Sequence, residues 1–388
     1  MHFGNRVQFE LYRRFKKAKY PVRYEELVDK ARDVLEEGPF YYVEGGAGAE
    51  DTGRANRRAF QKWQIVPRML RDVSKRDFRV QLFGQTYDYP LLLAPVGVQS
   101  IIHPEGELGA AKAAAELCVP FVASTASTHS LEKIARVMGD APRWFQLYWS
   151  RDQDVAASLL ERAERAGYAA IVVTLDTPMM AWRENDINQG YLPFLLGEGI
   201  GNYLSDPAFR AKLSKPPETD LEEAILYWAQ IFGNESLTWD DLPFLRKHTR
   251  LPILLKGILH PGDAELALKH GIDGIIVSNH GGRQVDGAIA VLDALGPVVD
   301  AVKGRIPVLM DSGIRRGADM IKALALGASA VLVGRPYVFG LALGGQDGVR
   351  HVVRNLLADF NLTMALAGFS SLADLNRSIL VKADQLFL

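Results

Sequence analysis

The sequence predicts a (β/α)8 barrel of the TIM type, and three observations lead to this prediction. From about residue 90 onward, short apolar runs alternate with longer helix-like segments. The apolar runs number eight, and they are continuously hydrophobic, as parallel strands buried on both faces are. Most are separated by amphipathic stretches such as DVAASLLERAERAG. Eight such units favour this barrel, whose active site lies at the carboxyl ends of the strands; an open doubly wound sheet is the alternative.

The barrel is expected to span residues 90–340 of a single domain, 1–388, preceded by a mostly helical N-terminal region, 1–75, and followed by one or two closing helices, 341–388. The predicted strands are, in order, LLLAPVG (91–97), PFVAST (120–125), WFQLY (144–148), AAIVVTLD (169–176), PILLKG (252–257), DGIIVSN (273–279), PVLMDSG (307–313) and AVLVGRP (330–336).

Between the fourth and fifth predicted strands, residues 183–250 form a connection far longer than an ordinary loop. We call it the long connection. Because it leaves the catalytic end of the barrel, we expect it to act as a lid. A contact arm between copies of the chain is the alternative, and its aromatic and leucine side chains do not separate the two interpretations.

Composition narrows the class of ligand. Lysine plus arginine number 45 and aspartate plus glutamate 46, so no overall field favours nucleic acid or an acidic membrane, and a small neutral or anionic ligand is expected. No apolar segment is long enough for a membrane span and no signal peptide is apparent, which favours a cytoplasmic protein. The single cysteine, Cys118, excludes an intramolecular disulfide and is expected to be buried. No HxH or HExxH spacing occurs, so no metal site is predicted.

Polar side chains follow the apolar part of several predicted strands. Because side chains alternate along a strand, residues two apart point the same way. Pairs of this kind, with two cations at the ends of further strands, predict a polar mouth above an apolar barrel. The pairs are Gln146 with Tyr148, Thr174 with Asp176, Ser278 with His280 and Asp311 with Gly313, and the cations are Lys256 and Arg335.

The last two strand ends, DSGIRRG (311–317) and VGRP (333–336), combine glycines with arginines. Barrels of this type often bind phosphate after strands seven and eight, through backbone N–H groups and a helix N-terminus. We therefore expect a phosphorylated ligand there. The alternative is that Gly313 and Gly334 only make turns while Arg315 and Arg335 are solvated. Neither a Rossmann nor a P-loop glycine spacing occurs.

A histidine at the sixth strand end is the candidate base. Asp176 and His280 are both expected to face the mouth, where the carboxylate would orient the imidazole and raise its basicity. Arg183, Arg283 and Tyr148 could clamp a substrate carboxylate and leave the base to act on the adjacent carbon. Lys256 would add positive charge beside an electron-rich cofactor ring.

Together the motifs SNHGGRQ, LKG, TLDTP, FQLY, DSGIRRG and VGRP resemble the FMN-dependent α-hydroxy acid oxidase family, from about YEELVDKA to near the C-terminus. The resemblance implies FMN as cofactor, a 2-hydroxy acid and O2 as small-molecule partners, and a homo-oligomer, a tetramer or an octamer. It also implies that His280 is the base, Asp176 its partner, and Arg183 and Arg283 the ligands of the substrate carboxylate.

The same resemblance implies further contacts. Tyr148 and Tyr42 would bind the substrate, with Tyr41 as a close alternative to Tyr42, and Lys256 would lie near the N1 and O2 edge of the flavin. The remaining implied FMN contacts are Pro95, Val96 and Gly97 against the ring, Ser124, Gln146 and Thr174 hydrogen-bonding it, Ser278 near the ribityl chain, and Asp311, Gly313, Arg315, Gly334 and Arg335 around ribityl and phosphate.

Within the family, two features are similar to lactate 2-monooxygenase: the segment LPFLLGEGIGNYLSDPAF of the long connection, and Gly97 in APVG, where many oxidases have alanine. This resemblance implies oxidation of L-lactate to acetate, CO2 and water, because pyruvate retained beside peroxide is decarboxylated. The alternative is an oxidase that releases pyruvate, or another 2-oxo acid, and H2O2. A non-redox phosphate-binding barrel is a distant third interpretation.

The side chain of the substrate is the least constrained feature. Ala126 stands where glycolate oxidase has a tryptophan, which would leave room for a methyl group or a larger substituent. Met179 and Met180 are expected to line the same space, although methionine is also an ordinary filler of gaps. Lactate is the first choice, and larger 2-hydroxy acids remain open.

Overall fold

Eight parallel strands close into a barrel in the computed structural model, which describes residues 1–13, 15 and 18–383. The eighth strand pairs with the first, bringing Val331 opposite Leu91 and Val333 opposite Leu93. The (β/α)8 prediction is therefore confirmed, and the open sheet is wrong. The barrel strands, first to eighth, are Leu91–Leu93, Phe121–Ser124, Arg143–Leu147, Ile171–Thr174, Ile253–Ile258, Gly274–Val277, Val308–Met310 and Ala330–Val333.

Helices surround the barrel and connect successive strands. The helix after the third strand shows how their starts are fixed, because the Asp152 carboxylate accepts hydrogen bonds from the N–H groups of Asp154 and Val155. The long connection follows the fourth strand. The helices after the other strands are Gly106–Glu116, Leu131–Met138, Gln153–Arg165, Pro261–Lys269, Val291–Val302, Gly317–Ala325 and Arg335–Leu366.

The last of these helices supplies the closing segment expected at the C-terminus. Gly344 and Gly345 have non-helical dihedral angles, so Arg335–Leu366 is two helices joined at a kink. Two single 3-10 turns, Leu372–Asp374 and Arg377–Ile379, follow it. Residues 384–388 lie outside the described part of the chain.

The strands bury two separate layers of side chains, as their continuous hydrophobicity predicts. One set of alternate residues packs outward against the helices. The other set fills the inside of the barrel, with one residue from each strand: Leu92, Val122, Trp144, Val172, Leu254, Ile276, Leu309 and Leu332. The residue two positions further along each strand therefore points to the same interior, one layer nearer the carboxyl end.

A short hairpin closes the opposite end of the barrel. Strands Val80–Leu82 and Gln85–Tyr87 pair antiparallel, and the Trp144 indole N–H donates to the Tyr87 hydroxyl at 3.3 Å. A second antiparallel pair, Trp63–Ile65 with Leu380–Lys382, joins the N-terminal region to the chain end. Neither pair was predicted, because strands of three residues with polar members carry no recognisable pattern.

The N-terminal region is helical, as expected, and part of it lies against the carboxyl end of the barrel. The Asn56 and Asn279 side chains exchange two hydrogen bonds of 2.8 Å, and the Thr52 N–H donates to Asp286 at 2.9 Å. Both contacts join the fourth helix to the chain after the sixth strand. The helices are Phe3–Tyr12, Tyr24–Val34, Glu37–Glu44 and Asp51–Gln61.

The long connection is a chain of short helices, part of which is fixed to the barrel. The Asn202 amide donates to the carbonyls of Ser124 and Thr125 at 3.1 and 3.0 Å and accepts from the Leu131 N–H at 2.7 Å. Its elements are Glu184–Asn188, Pro193–Leu196, Gly201–Leu204, Pro207–Arg210, Leu221–Ile231, Trp239–Asp241 and Leu242–His248.

Two expectations need correction. Nearly every predicted strand was too long at its carboxyl end, so that Tyr148, Asp176 and Arg335 lie beyond their strands, and Arg335 begins a helix. Cys118 is exposed because it sits in the turn before the second strand with a positive φ of 52°. In the described part of the chain, no helix combines the length and hydrophobicity of a transmembrane segment.

Candidate active site

A cavity opens at the carboxyl end of the barrel, and it collects residues from all the motifs named above. Ala126 and Met180 also line it, whereas Met179 is exposed and lies outside the lining. Of the two adjacent tyrosines, Tyr42 lines the cavity and Tyr41 packs against Phe40. The predicted site residues in the lining are Tyr42, Pro95, Val96, Gly97, Tyr148, Arg183, Lys256, His280, Arg283, Asp311, Gly313, Arg315, Gly334 and Arg335.

Four of the five remaining predicted residues form the floor beside this cavity, and the fifth, Asp176, lies against His280. Ser124, Gln146, Thr174 and Ser278 are all buried, and each stands two residues after an inward-facing core residue. The Ser124 hydroxyl donates to the Gln146 side-chain oxygen at 2.9 Å. The barrel interior therefore changes from apolar to polar within one layer of side chains.

The imidazole of His280 is held by a carboxylate. His280 Nδ1 lies 2.7 Å from Asp176 Oδ1, and the Thr177 hydroxyl donates to the same oxygen at 3.1 Å. On the other side of the ring, the Tyr148 hydroxyl lies 3.5 Å from His280 Nε2. Because Asp176 fixes the proton on Nδ1, Nε2 is the nitrogen that faces the cavity as a base.

The electrostatics of this pair differ in part from the expectation. Burial lowers the pKa of His280 from its usual value, and nearby Lys256 lowers it further, which together outweigh the raising effect of Asp176. Burial opposes ionisation of Asp176, but Lys256 and His280 bring its pKa down to about 2. The carboxylate is therefore charged and the imidazole neutral at pH 7, so His280 is already in the form that accepts a proton.

An unusual backbone turn presents this imidazole. His280, Gly281 and Gly282 have consecutive positive φ values of 57°, 68° and 80°. Glycine adopts them without steric cost, whereas His280 is strained. A Cβ on Gly282 would lie 2.6 Å from the Gly53 nitrogen, so this glycine also permits the close approach of an N-terminal helix. Gly281 and Gly282 thus allow a tight turn at this strand end.

Lys256 stands beneath the histidine between two carboxylates. Its Nζ lies 3.8 Å from Asp176 Oδ2 and 3.5 Å from Asp311 Oδ2, and its side chain is 4% exposed. Burial disfavours the ammonium form, but the two carboxylates outweigh burial and raise the pKa of Lys256. A fixed positive charge is therefore present in the floor of the cavity.

Two arginines form a cationic wall beside the base. Arg283 donates to the Gly45 carbonyl at 2.7 Å and stacks on the Tyr42 ring at 5.2 Å. Arg183 donates to the Arg283 carbonyl at 3.1 Å. Burial, and then the charges of Arg183 and Arg335, lower the pKa of Arg283 to about 9. Such a cluster of partly buried cations favours binding of an anion, and the planar guanidinium groups suit a carboxylate.

At the expected phosphate-binding end, Arg315 and Arg335 both have partners within the protein. Arg315 stacks over the Tyr24 ring at 4.4 Å. Arg335 donates to the backbone carbonyls of Val43, Glu44, Gly45 and Gly281 at 2.9–3.0 Å. The alternative in which Arg335 is solvated is therefore wrong. Arg335 instead holds the N-terminal region onto the barrel. Gly313, with φ at 92°, accepts a hydrogen bond from Arg57.

The donor and acceptor pattern of the floor fits a polar ring system such as a flavin. Among the described residues, the buried atoms Gln146 Nε2, Thr174 Oγ1 and Arg315 Nε have no hydrogen-bond partner within the protein. Burying such groups unpaired is costly, and functional sites are where they persist. All three belong to residues for which the resemblance implied flavin or phosphate contacts.

Some lining residues were missed by sequence reasoning. Thr177, which bonds to Asp176, directly follows it in TLDTP and could have been found from that adjacency. Phe194 and Phe232 come from the long connection, where Trp228 stacks on Phe194 at 4.6 Å and is tilted against Phe232 at 4.9 Å. No periodicity marks those two, since their position depends on how the connection folds back over the mouth.

The chain is similar in sequence and in structure to known proteins over most of its length. Residues 31–382 match the model of the FMN-dependent dehydrogenase family. An L-lactate oxidase of Lysinibacillus sphaericus is 49% identical over 95% of this chain and 94% of its own. The 2-hydroxyacid oxidase 1 of Mus musculus is 40% identical, covering 90% and 94%. A crystal structure of mandelate oxidase superposes with a TM-score of 0.82 at 42% identity, covering 92% and 97%.

Proposed function

Because the chain belongs to the FMN-dependent dehydrogenase family, whose members similar to it oxidise 2-hydroxy acids, we propose that its substrate is L-lactate and that O2 accepts the electrons. The general reaction, FMN-dependent oxidation of a 2-hydroxy acid, follows from the family and these relatives. The observation that supports a hydroxy acid most directly is a neutral, partly buried base, His280, beside the partly buried guanidinium groups of Arg183 and Arg283.

In this proposal the arginines and Tyr42 bind the substrate carboxylate. The bound acid then presents its CH–OH group to His280 Nε2, which accepts a proton from it. Asp176 stabilises the imidazolium that forms, because its carboxylate stays charged at 2.7 Å. Tyr148, whose pKa burial raises to about 12, remains protonated and donates a hydrogen bond to the substrate.

FMN would rest on the polar floor of the barrel. Gln146 and Thr174, with their unpartnered atoms, would contact the ring, while Lys256 would lie beside it as a fixed cation. Arg315 and the backbone around Gly313 and Gly334 would hold the phosphate. When bound, FMN accepts the two electrons that leave the substrate.

A small apolar side chain fits the remaining wall. Ala126, Met180, Phe194 and Phe232 line the cavity together and offer no charge or hydrogen bond to a substituent. Lactate, with its methyl group, matches this surface, and the similarity to an L-lactate oxidase supports the same choice.

For the fate of the product we propose retention, which gives acetate, CO2 and water. Gly97 packs so tightly that a Cβ would lie 2.8 Å from the Ala126 carbonyl oxygen. Phe194 and Phe232 of the long connection line the cavity, and in this proposal they cover the bound product. A covered cavity favours a long residence time of pyruvate beside peroxide.

The second candidate is an oxidase that releases pyruvate and H2O2. The names of the relatives favour it, since both L-lactate oxidase and 2-hydroxyacid oxidase 1 are oxidases.

Product analysis in air separates the two candidates. The purified holoenzyme is supplied with L-lactate, and acetate, pyruvate and H2O2 are measured against lactate consumed. Acetate equal to lactate consumed, with little peroxide, is the expected result. Stoichiometric pyruvate and H2O2 would replace the first candidate by the second.

A further inference from the structure

A carboxylate of the long connection is bound by two hydroxyl groups of the barrel rim. Glu198 Oε2 accepts from the Ser100 hydroxyl at 2.6 Å and from the Thr128 hydroxyl at 3.1 Å. The next residue repeats the attachment, because the Gly199 N–H donates to the Thr128 hydroxyl at 2.9 Å. Hydrogen bonds to an ionised acceptor are stronger than neutral ones. We call these three side chains the Glu198 clamp.

The chain segments that carry these two hydroxyl groups are joined to each other by a buried carboxylate. The Glu107 carboxylate, which is fully buried, accepts from the N–H groups of Gln99 and Thr128 at 2.9 and 3.2 Å. It thereby joins the segments that follow the first and second strands. Those same segments carry Gly97 and Ala126 in the cavity lining. The rim side of the clamp is therefore a rigid extension of the cavity wall.

The backbone of Glu198 is hydrogen-bonded to the turn that contains Phe194. The Glu198 N–H donates to the Pro193 carbonyl at 3.2 Å, and the Gly197 N–H donates to the Phe194 carbonyl at 3.0 Å. These bonds make Pro193–Leu196 and Glu198 one compact unit. Phe194, which lines the cavity, belongs to this unit, and we call the unit the Phe194 turn.

The clamp also extends the anchored part of the long connection. Beyond it, Gly201 and Asn202 are bonded to the rim at Ser127, Ser124 and Thr125. Before it, Leu195 and Leu196 are 59% and 67% exposed. Without the Glu198 carboxylate, the Phe194 turn would lose its two charged hydrogen bonds to the rim. It would keep its stacking on Trp228 of the same connection and the bond from the Gly199 N–H to Thr128.

We propose that Glu198 is a positioning residue that keeps the Phe194 turn closed over the substrate cavity and so slows release of the 2-oxo acid product. This inference rests on the proposed oxidation of a 2-hydroxy acid at the same site. It assigns to Glu198 no contact with substrate or cofactor. Its effect belongs to the lifetime of the closed cavity and not to the proton transfer at His280.

The test compares Glu198→Ala with Glu198→Gln and Thr128→Val in FMN-loaded enzyme. The dissociation rate of pyruvate is measured by stopped-flow flavin absorbance, and the rate of anaerobic flavin reduction at saturating L-lactate is measured separately. We expect pyruvate to leave about tenfold faster from Glu198→Ala, with flavin reduction changed less than about twofold. Glu198→Gln, whose amide oxygen still accepts both hydrogen bonds, should restore most of the slow release.

Thr128→Val tests the clamp from the rim. It should speed release as Glu198→Ala does, because it removes one hydroxyl donor to Glu198 together with the acceptor of the Gly199 N–H. The double variant should be faster by less than the product of the two single effects, because the two changes share one hydrogen bond. Glu222→Ala is the matched control, since it removes an exposed carboxylate from the same connection. Unchanged pyruvate release in Glu198→Ala, or equal losses of release control and flavin reduction, would overturn the proposal.

The outcome is separable from that of the proposed function. A wild-type enzyme that yields only pyruvate and H2O2 would reject the monooxygenase candidate, yet its pyruvate dissociation rate would still report on the clamp. If the wild type retains pyruvate and forms acetate, the acetate fraction should fall in Glu198→Ala. An unchanged fraction would then count against Glu198 alone.

Discussion

At the scale of single residues, the site is a balance between burial and charge. Lys256 would be costly to bury alone, but Asp176 and Asp311 flank it and keep it charged. That cation in turn helps to keep Asp176 ionised and His280 neutral. The sequence indicated which residue types meet at the strand ends. The sign of the histidine shift could not be read from it, because burial dominates and depends on the folded cavity.

Replacing the proposed base should separate cofactor binding from chemistry. In His280→Gln, flavin reduction by L-lactate should fall by about 10²–10⁴-fold, since the amide cannot accept the proton. FMN should stay bound, because the phosphate end and the floor are unchanged. Stopped-flow absorbance measures the rate, and flavin content is measured after gel filtration. His260→Gln, at an exposed helix cap, is the control; equal rates in both variants would refute the role of His280.

The same residue should set the acidic limb of the pH profile. His280 must be neutral to act, and its pKa is lowered, so kcat/KM should rise with pH with a midpoint below the ordinary histidine value of 6.5. In Asp176→Asn the carboxylate no longer raises that pKa, so the limb should move to still lower pH while the plateau rate falls. A midpoint above 6.5 in the wild type would contradict the effect of burial and of Lys256 on the imidazole.

At the scale of elements, strands were easier to predict than the segments that cover them. The eight apolar runs correspond to the eight barrel strands because burial on both faces leaves a continuous hydrophobic signal. The end hairpin, Val80–Leu82 with Gln85–Tyr87, leaves no such signal. The docking of the long connection depends on bonds from Asn202 to distant backbone carbonyls, and no local pattern reveals those partners.

Removing that anchor should destabilise the fold. Asn202→Ala leaves the buried Leu131 N–H and two buried carbonyls without their partner, at a cost of about 2–4 kcal/mol in the free energy of unfolding. Urea denaturation of wild type and variant measures the difference. Asn188→Ala, at an exposed position on the same connection, should change stability by less than about 0.5 kcal/mol. Equal stability of the two variants would mean that the connection is not fixed by Asn202.

At the scale of the whole molecule, the barrel brings together residues that are far apart in the chain. The base at His280, its partner Asp176 and the N-terminal Tyr42 meet only because closure places the ends of the fourth and sixth strands and the third N-terminal helix at one mouth. Strand counting from sequence was sufficient to predict that His280 and Asp176 meet, whereas Tyr42 was assigned to the site only by the resemblance to the family. It was not sufficient to predict Phe194 and Phe232, which reach the mouth through tertiary folding of the long connection.

The proposed FMN-dependent oxidation of L-lactate is tested most directly by mixing FMN-loaded protein with L-lactate in the absence of oxygen. The yellow absorbance of the oxidised flavin should disappear after mixing and return when air is admitted. The enantiomer D-lactate at the same concentration serves as the control and should bleach it far more slowly, because the arginines and His280 fix one orientation of the CH–OH group. A protein that binds no FMN, or whose bound flavin keeps its colour with L-lactate and with larger L-2-hydroxy acids, would contradict the account.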